Sequence, residues 1–108
     1  LTTTIPSTIK IGMLPFAVEE VNSSEMTDCS DQQSGWQVFG DIQYSKQLIR
    51  ITNDSSPEFQ RHILIHEIMH GIAHLNGLAQ DEGFINTISH ALYDLIVNNP
   101  DLIRYIRG

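Results

Sequence analysis

Cysteine is almost missing from this chain: Cys29 is the single thiol in 108 residues. One thiol closes no internal disulfide and builds no cysteine-rich zinc site. Its polar surroundings read as those of an exposed thiol without a role. Basic residues are scarce as well, with six Lys and Arg against thirteen Asp and Glu and a formal net charge of −7. Such a surface repels a phosphate backbone, which argues against nucleic acid as a general partner. It leaves a basic partner or a basic substrate segment open, without choosing between them. No apolar run approaches the ~20 residues of a membrane span, and no targeting segment is visible. The expectation is a cytoplasmic protein that engages neither membrane nor nucleic acid.

What is present suffices for one modest core, since 41% of the residues are apolar, and the length suits a single domain over 1–108. The first half reads as sheet. Ile9 and Ile11 alternate around Lys10, and Gly12 with Pro15 marks a turn or bulge. Residues 22–35, NSSEMTDCSDQQSG, are polar and read as a loop excursion. Trp36, Val38 and Phe39 restart the structure, Ile42 and Tyr44 alternate with polar neighbours, 45–47 turn, and Leu48, Ile49 and Ile51 return. This pattern predicts a small antiparallel sheet of three or four strands over about 8–52.

The second half reads as helix. Ser55 or Ser56 caps a helix over about 57–76, with Pro57 at its first position and Ser55 to Glu58 at capping-box spacing. Gly77 stops it. A second helix over about 82–97 carries Ile85, Ile88, Leu92, Leu95 and Ile96 as one stripe, and a third follows over about 100–106. The expected fold class is α+β, a small antiparallel sheet packed on one long helix and a second.

The chemistry concentrates in HEIMH, residues 66–70. Positions i and i+4 share a helix face, so His66 and His70 can point two imidazoles at one ion. Zinc accepts imidazole nitrogen at about 2.0–2.1 Å. Glu67 places a carboxylate beside that ion, within reach of a water. The surroundings, ILIHEIMHGIAHL over 63–75, are apolar on every side, which predicts burial. A buried carboxylate and imidazoles without partners would cost several kcal/mol, and a metal supplies the partner. The alternative is a pair of hydrogen-bonded core histidines with Glu67 in a buried ion pair.

A catalytic zinc takes three protein ligands and a water. His74 extends the i, i+4 series, but His66 and His74 stand about 12 Å apart on a straight helix, so both can serve only if the helix breaks at Gly71. His62, one turn earlier, reads as a flanking polar residue. Asp81 and Glu82 start the next helix and can turn a carboxylate back to the HEIMH face. Asp81 competes for the cap, and Glu82 is suited to the first turn by the helix dipole. Spacing alone leaves the third ligand open.

HEIMH, a short loop and an acidic helix start together resemble the zincin metallopeptidases with a glutamate ligand. The chain is most similar to the minimal, roughly hundred-residue members, the minigluzincins, and to related small phage or prophage proteins. It is more distantly similar to the ImmA/IrrE-like peptidases. The stretches 40–44 and 48–51, 64–70, and 91–95 leading to 99–102 carry the likeness, which covers about 36–103. The resemblance implies His66, His70 and Glu82 as zinc ligands and Glu67 as general base. It implies a substrate peptide lying antiparallel along an edge strand. It also implies that residues 101–108 either cover the site or mediate a homodimer. Larger relatives frame the cleft with a second subdomain that this chain lacks, so substrate binding is expected to be shallow and activity weak, latent or lost.

The expected function is zinc-dependent peptide hydrolysis, with His74, His90 or Tyr93 as candidate donors to the developing oxyanion. Two alternatives stand beside it: a zincin-shaped regulatory or binding protein without turnover, and a metal-free α+β interaction protein.

Overall fold

The computed structural model describes residues 4–26 and 39–108. Two hairpins build the sheet. Strands β1 (Thr8–Ile11) and β2 (Leu14–Val21) pair antiparallel. Gly12 turns between them at φ +63°, a left-handed conformation that only glycine adopts without strain. Strands β3 (Gly40–Gln43) and β4 (Leu48–Thr52) form the second antiparallel pair. The order across the sheet is β1-β2-β4-β3, and β2 runs parallel to β4 with Val18 opposite Ile49. The α+β expectation holds, but the sheet is mixed where antiparallel pairing throughout was expected. The physical reason is the long connection from β2 to the second hairpin. Parallel neighbours need a crossover of a dozen residues or more, and this connection supplies it.

The short helix α1 (Ser23–Met26) opens the stretch that the sequence reads as loop, and Met26 is buried. The rest of that loop, Cys29 and the restart at Trp36 and Val38 lie outside the described residues.

Helix α2 (Pro57–Leu75) follows the sheet. Its N-cap is Ser56, whose Oγ accepts the Phe59 N–H at 3.2 Å. Pro57 at the first helical position leaves Ser56 as the half-in residue, so the Ser55–Glu58 capping box does not form. Helix α2 continues unbroken through Gly71. That glycine serves close packing: a Cβ there would come within 2.8 Å of Ile11 Cδ1 and 3.0 Å of Ile42 Cδ1. Gly40 plays the matching part on β3, where a Cβ would collide with Ile63 Cγ2. Two missing side chains thus press β3 against the middle of α2.

The core lies in that seam. Phe16, Ile49 and Ile51 are sealed from solvent, and Ile11, Ile42 and Ile63 close around them. Each such side chain contributes about 1.5–3 kcal/mol by burial. Helix α3 (Glu82–Asn98) packs back on α2 through Ile85 and Ser89 at its N-terminal end, and α4 (Pro100–Arg107) leans on α3 with no residue buried. The apolar stripe of α3 is therefore only half used: Ile85 is buried, while Leu95 and Ile96 are exposed. No helix among the described residues is long and apolar enough to cross a membrane.

Candidate metal centre

The all-round apolar character of α2 is resolved into faces. His66 and Glu67 are buried, His70 is half-buried, and His74 and Ile72 are exposed. Glu82 reaches across from the first turn of α3. His66 Nε2 lies 2.7 Å from Glu82 Oε1, and His70 Nε2 lies 3.0 Å from Glu82 Oε2. One ligand atom from each of the three lies within 4.8 Å of the other two, so His66, His70 and Glu82 could hold a metal ion. Two imidazole nitrogens and one carboxylate oxygen are a donor set that suits zinc.

Asp81 is excluded from this group by its other task. Its side chain caps α3, accepting the Phe84 N–H at 3.1 Å, and it is exposed. The cap turns the chain so that the next residue, Glu82, faces α2. His74 is likewise excluded, because α2 does not break. Its ring stacks on Tyr44 with centroids 3.8 Å apart and planes 6° from parallel. His62 lies against Tyr93 and His90, with ring centroids at 3.9 and 4.8 Å. Tyr93 is thus engaged with His62, and His90 stands at a small, mainly apolar cavity between α2 and α3. His66 and Glu67 reach the same cavity, over a floor of Phe59 and Ile63. None of its lining comes from α4.

Glu67 is the most perturbed group of the centre. Burial, reinforced by the negative charges of Asp41 and Glu82, pushes its carboxyl up to about 8. A divalent cation in the adjacent triad would pull it back toward the ionised form. Asp41 itself stays paired: Arg50 grips it with two bonds, Nε to Oδ1 at 3.1 Å and Nη2 to Oδ2 at 2.7 Å, across β3 and β4. Burial lowers the pKa of His66, and the positive charge of His70 adds to this, while Glu82 acts the other way. A neutral imidazole is the form a metal needs. Tyr44, under the edge of the centre, is pushed up to about 12 by burial and by Glu67. It remains a hydroxyl, 3.4 Å from the His70 carbonyl oxygen, to which it donates.

Two contributors were not foreseen from sequence. Asp41 reads there only as a polar residue in a strand, and no local signal shows that it lies near Glu67. Gln80, in the loop between α2 and α3, touches His70 at two points. His70 Nδ1 lies 2.6 Å from Gln80 Oε1, and Gln80 Nε2 donates to the His70 carbonyl oxygen at 3.2 Å. No family model, curated protein or solved structure matches this chain.

Proposed function

We propose that the protein is a zinc-dependent peptidase, with His66, His70 and Glu82 holding the metal and Glu67 acting as general base. The observation that carries this reading is the pairing of two dissimilar acids at one place. Glu82 faces both imidazoles with both its oxygens, while Glu67, adjacent to His66, stays buried and proton-hungry. A metal site that served only the fold would have no need of the second acid. Burying Glu67 there costs stability, and acids perturbed in this way cluster at functional sites.

Zinc, when bound, would polarise a scissile carbonyl and acidify a water at the site. Glu67 would take the proton of the attacking water on a carboxylate oxygen and return it to the leaving amine nitrogen. A raised pKa suits that return step. The small apolar cavity by Phe59 and Ile63 adjoins the base. Of the three candidate donors to the oxyanion, His90 lines the cavity that His66 and Glu67 also reach. Strand β3 stands at the edge of the sheet order beside α2, where an extended peptide would find main-chain partners.

The experiment is metal analysis of the purified chain followed by hydrolysis of a quenched-fluorescence peptide mixture, for the wild type and Glu67→Gln. One zinc per chain is expected in both proteins. The substitution should lower turnover by about 10²–10⁴-fold, the usual worth of a positioned base. Equal turnover by the two proteins would remove the peptidase reading.

A further inference from the structure

Among the described residues, Gln80 makes contacts that neither the fold nor the three-ligand centre requires. It lies in the link from α2 to α3, which bends at Gly77, where φ is +67°. The Leu78 N–H, bonded to the Ala73 carbonyl at 2.8 Å, pins the link to the last turn of α2. Asp81 is extended, with φ −73° and ψ 111°. In extended chain, side chains two residues apart point the same way. Gln80 and Glu82 therefore face α2 together, on either side of the capping residue, and they meet the two different nitrogens of one ring. Glu82 is at His70 Nε2, and Gln80 is at His70 Nδ1.

The second contact of Gln80 decides what the first one means. A main-chain carbonyl only accepts hydrogen bonds, so the end of the amide that faces the His70 oxygen must be the NH₂ group. The other end, 2.6 Å from Nδ1, is then the amide oxygen, which also only accepts. Nδ1 must therefore carry the proton. A neutral imidazole protonated at Nδ1 has its lone pair on Nε2, the nitrogen that faces Glu82 and His66.

We infer that Gln80 is a positioning residue, whose amide bridges His70 Nδ1 and the His70 carbonyl and so commits Nε2 to the metal. The inference rests on the metal-centre reading and adds to it a residue that touches a ligand side chain but offers the metal no atom of its own. It also explains how a half-exposed imidazole on α2 is held in one rotamer and one tautomer. Partners of this kind commonly govern metal affinity by about 10–100-fold.

The test uses the whole chain and two substitutions. Zinc affinity is measured by competition with a chromogenic chelator. The His70 tautomer is read from long-range ¹H–¹⁵N couplings of the zinc-loaded protein. The wild type should show the proton on Nδ1 and zinc on Nε2. Gln80→Ala should weaken zinc binding by about 10–100-fold. Its metal-free melting should stay unchanged, because Gln80 is exposed. Gln80→Glu, which keeps an acceptor at Nδ1, should recover most of the affinity. Unchanged affinity in Gln80→Ala beside a zinc-binding wild type, or zinc on Nδ1 in the wild type, would overturn this inference alone. A wild type that takes up no zinc would overturn the metal centre and this inference with it.

Discussion

The seam between the sheet and α2 and the outer stretch formed by the end of α3 with α4 are built on opposite terms. In the seam, Ile49 and Ile51 have no exposed surface, and Gly40 and Gly71 give up their side chains so that two elements can approach. In the outer stretch no residue of α4 is buried, and Tyr105 and Ile106 are 84% and 69% exposed. The candidate centre straddles this divide. His66 and Glu67 belong to the rigid side. Glu82 arrives on a helix anchored by Ile85 and Ser89 and by His90 and Tyr93 against His62, with Leu95, Ile96 and Val97 exposed beyond. The lesson concerns precision: His66 and Glu67 take their positions from close packing, whereas Glu82 takes its position from a helix cap and a short link, and His70 is held from that same link by Gln80.

The sharpest way to break the contrast is to remove equivalent bulk from each side. Ile49→Ala should cost about 2–5 kcal/mol, through lost burial and the cavity left behind. Ile106→Ser should change stability by less than about 0.5 kcal/mol. Urea unfolding of both variants measures this, and comparable losses would mean that α4 is not an outer element.

The next effect is one of pH, and it isolates the rigid side. In the metal-free fold the Glu67 carboxyl, ordinarily at 4.5, is pushed up to about 8. The folded state therefore holds that proton more tightly than the unfolded chain. Its contribution is complete below pH 4.5 and is lost as pH rises through about 8. His66 runs the other way, since burial lowers its pKa from 6.5. Its contribution is complete above 6.5 and is lost as pH falls through the folded value. Between these ranges, from pH 6.5 to 8, Glu67 alone of the two is changing charge state differently in the two states. Metal-free protein should lose on the order of 2 kcal/mol across this window. Glu67→Gln should show a flat profile there, and a wild type equally flat would mean that the acid is better solvated than its burial implies.

A smaller effect probes the looser side. Asp81→Ala removes the α3 cap and should cost about 1 kcal/mol. Since the cap aims Glu82, zinc affinity should fall together with stability. A variant that loses stability but binds zinc as before would show that Glu82 is placed by the packing of Ile85 instead.

The same divide explains what was legible in the residues themselves. Helices α2 and α3 could be read because their caps, Pro57, Gly77 and the apolar stripe of α3 are local signals. His66, Glu67 and His70 could be read because the geometry of one helix sets their relation. The parallel pairing of β2 with β4 could not, since strand order depends on how a long connection is routed. Nor could the choice of Glu82 over Asp81: both are acids at a helix start, and only the folded link shows which one caps and which one reaches. Met26 sits in a polar stretch whose composition hides its burial. Gly71 reads only as a place where the helix could break, and its part in close packing shows once the sheet that presses on it is known.

The centre also joins residues that are near neighbours along the chain, because His66 and Glu82 stand only 16 positions apart, while the paired residues of β2 and β4 lie about thirty apart. Closing the shorter span costs less entropy, so the helical hairpin, like the two β-hairpins, can form before the parallel strands dock. An ion captured by a half-formed hairpin would then act as a kinetic template. Refolding begun with zinc present should outpace refolding begun without it, and equal rates would place assembly of the triad after the rate-limiting step.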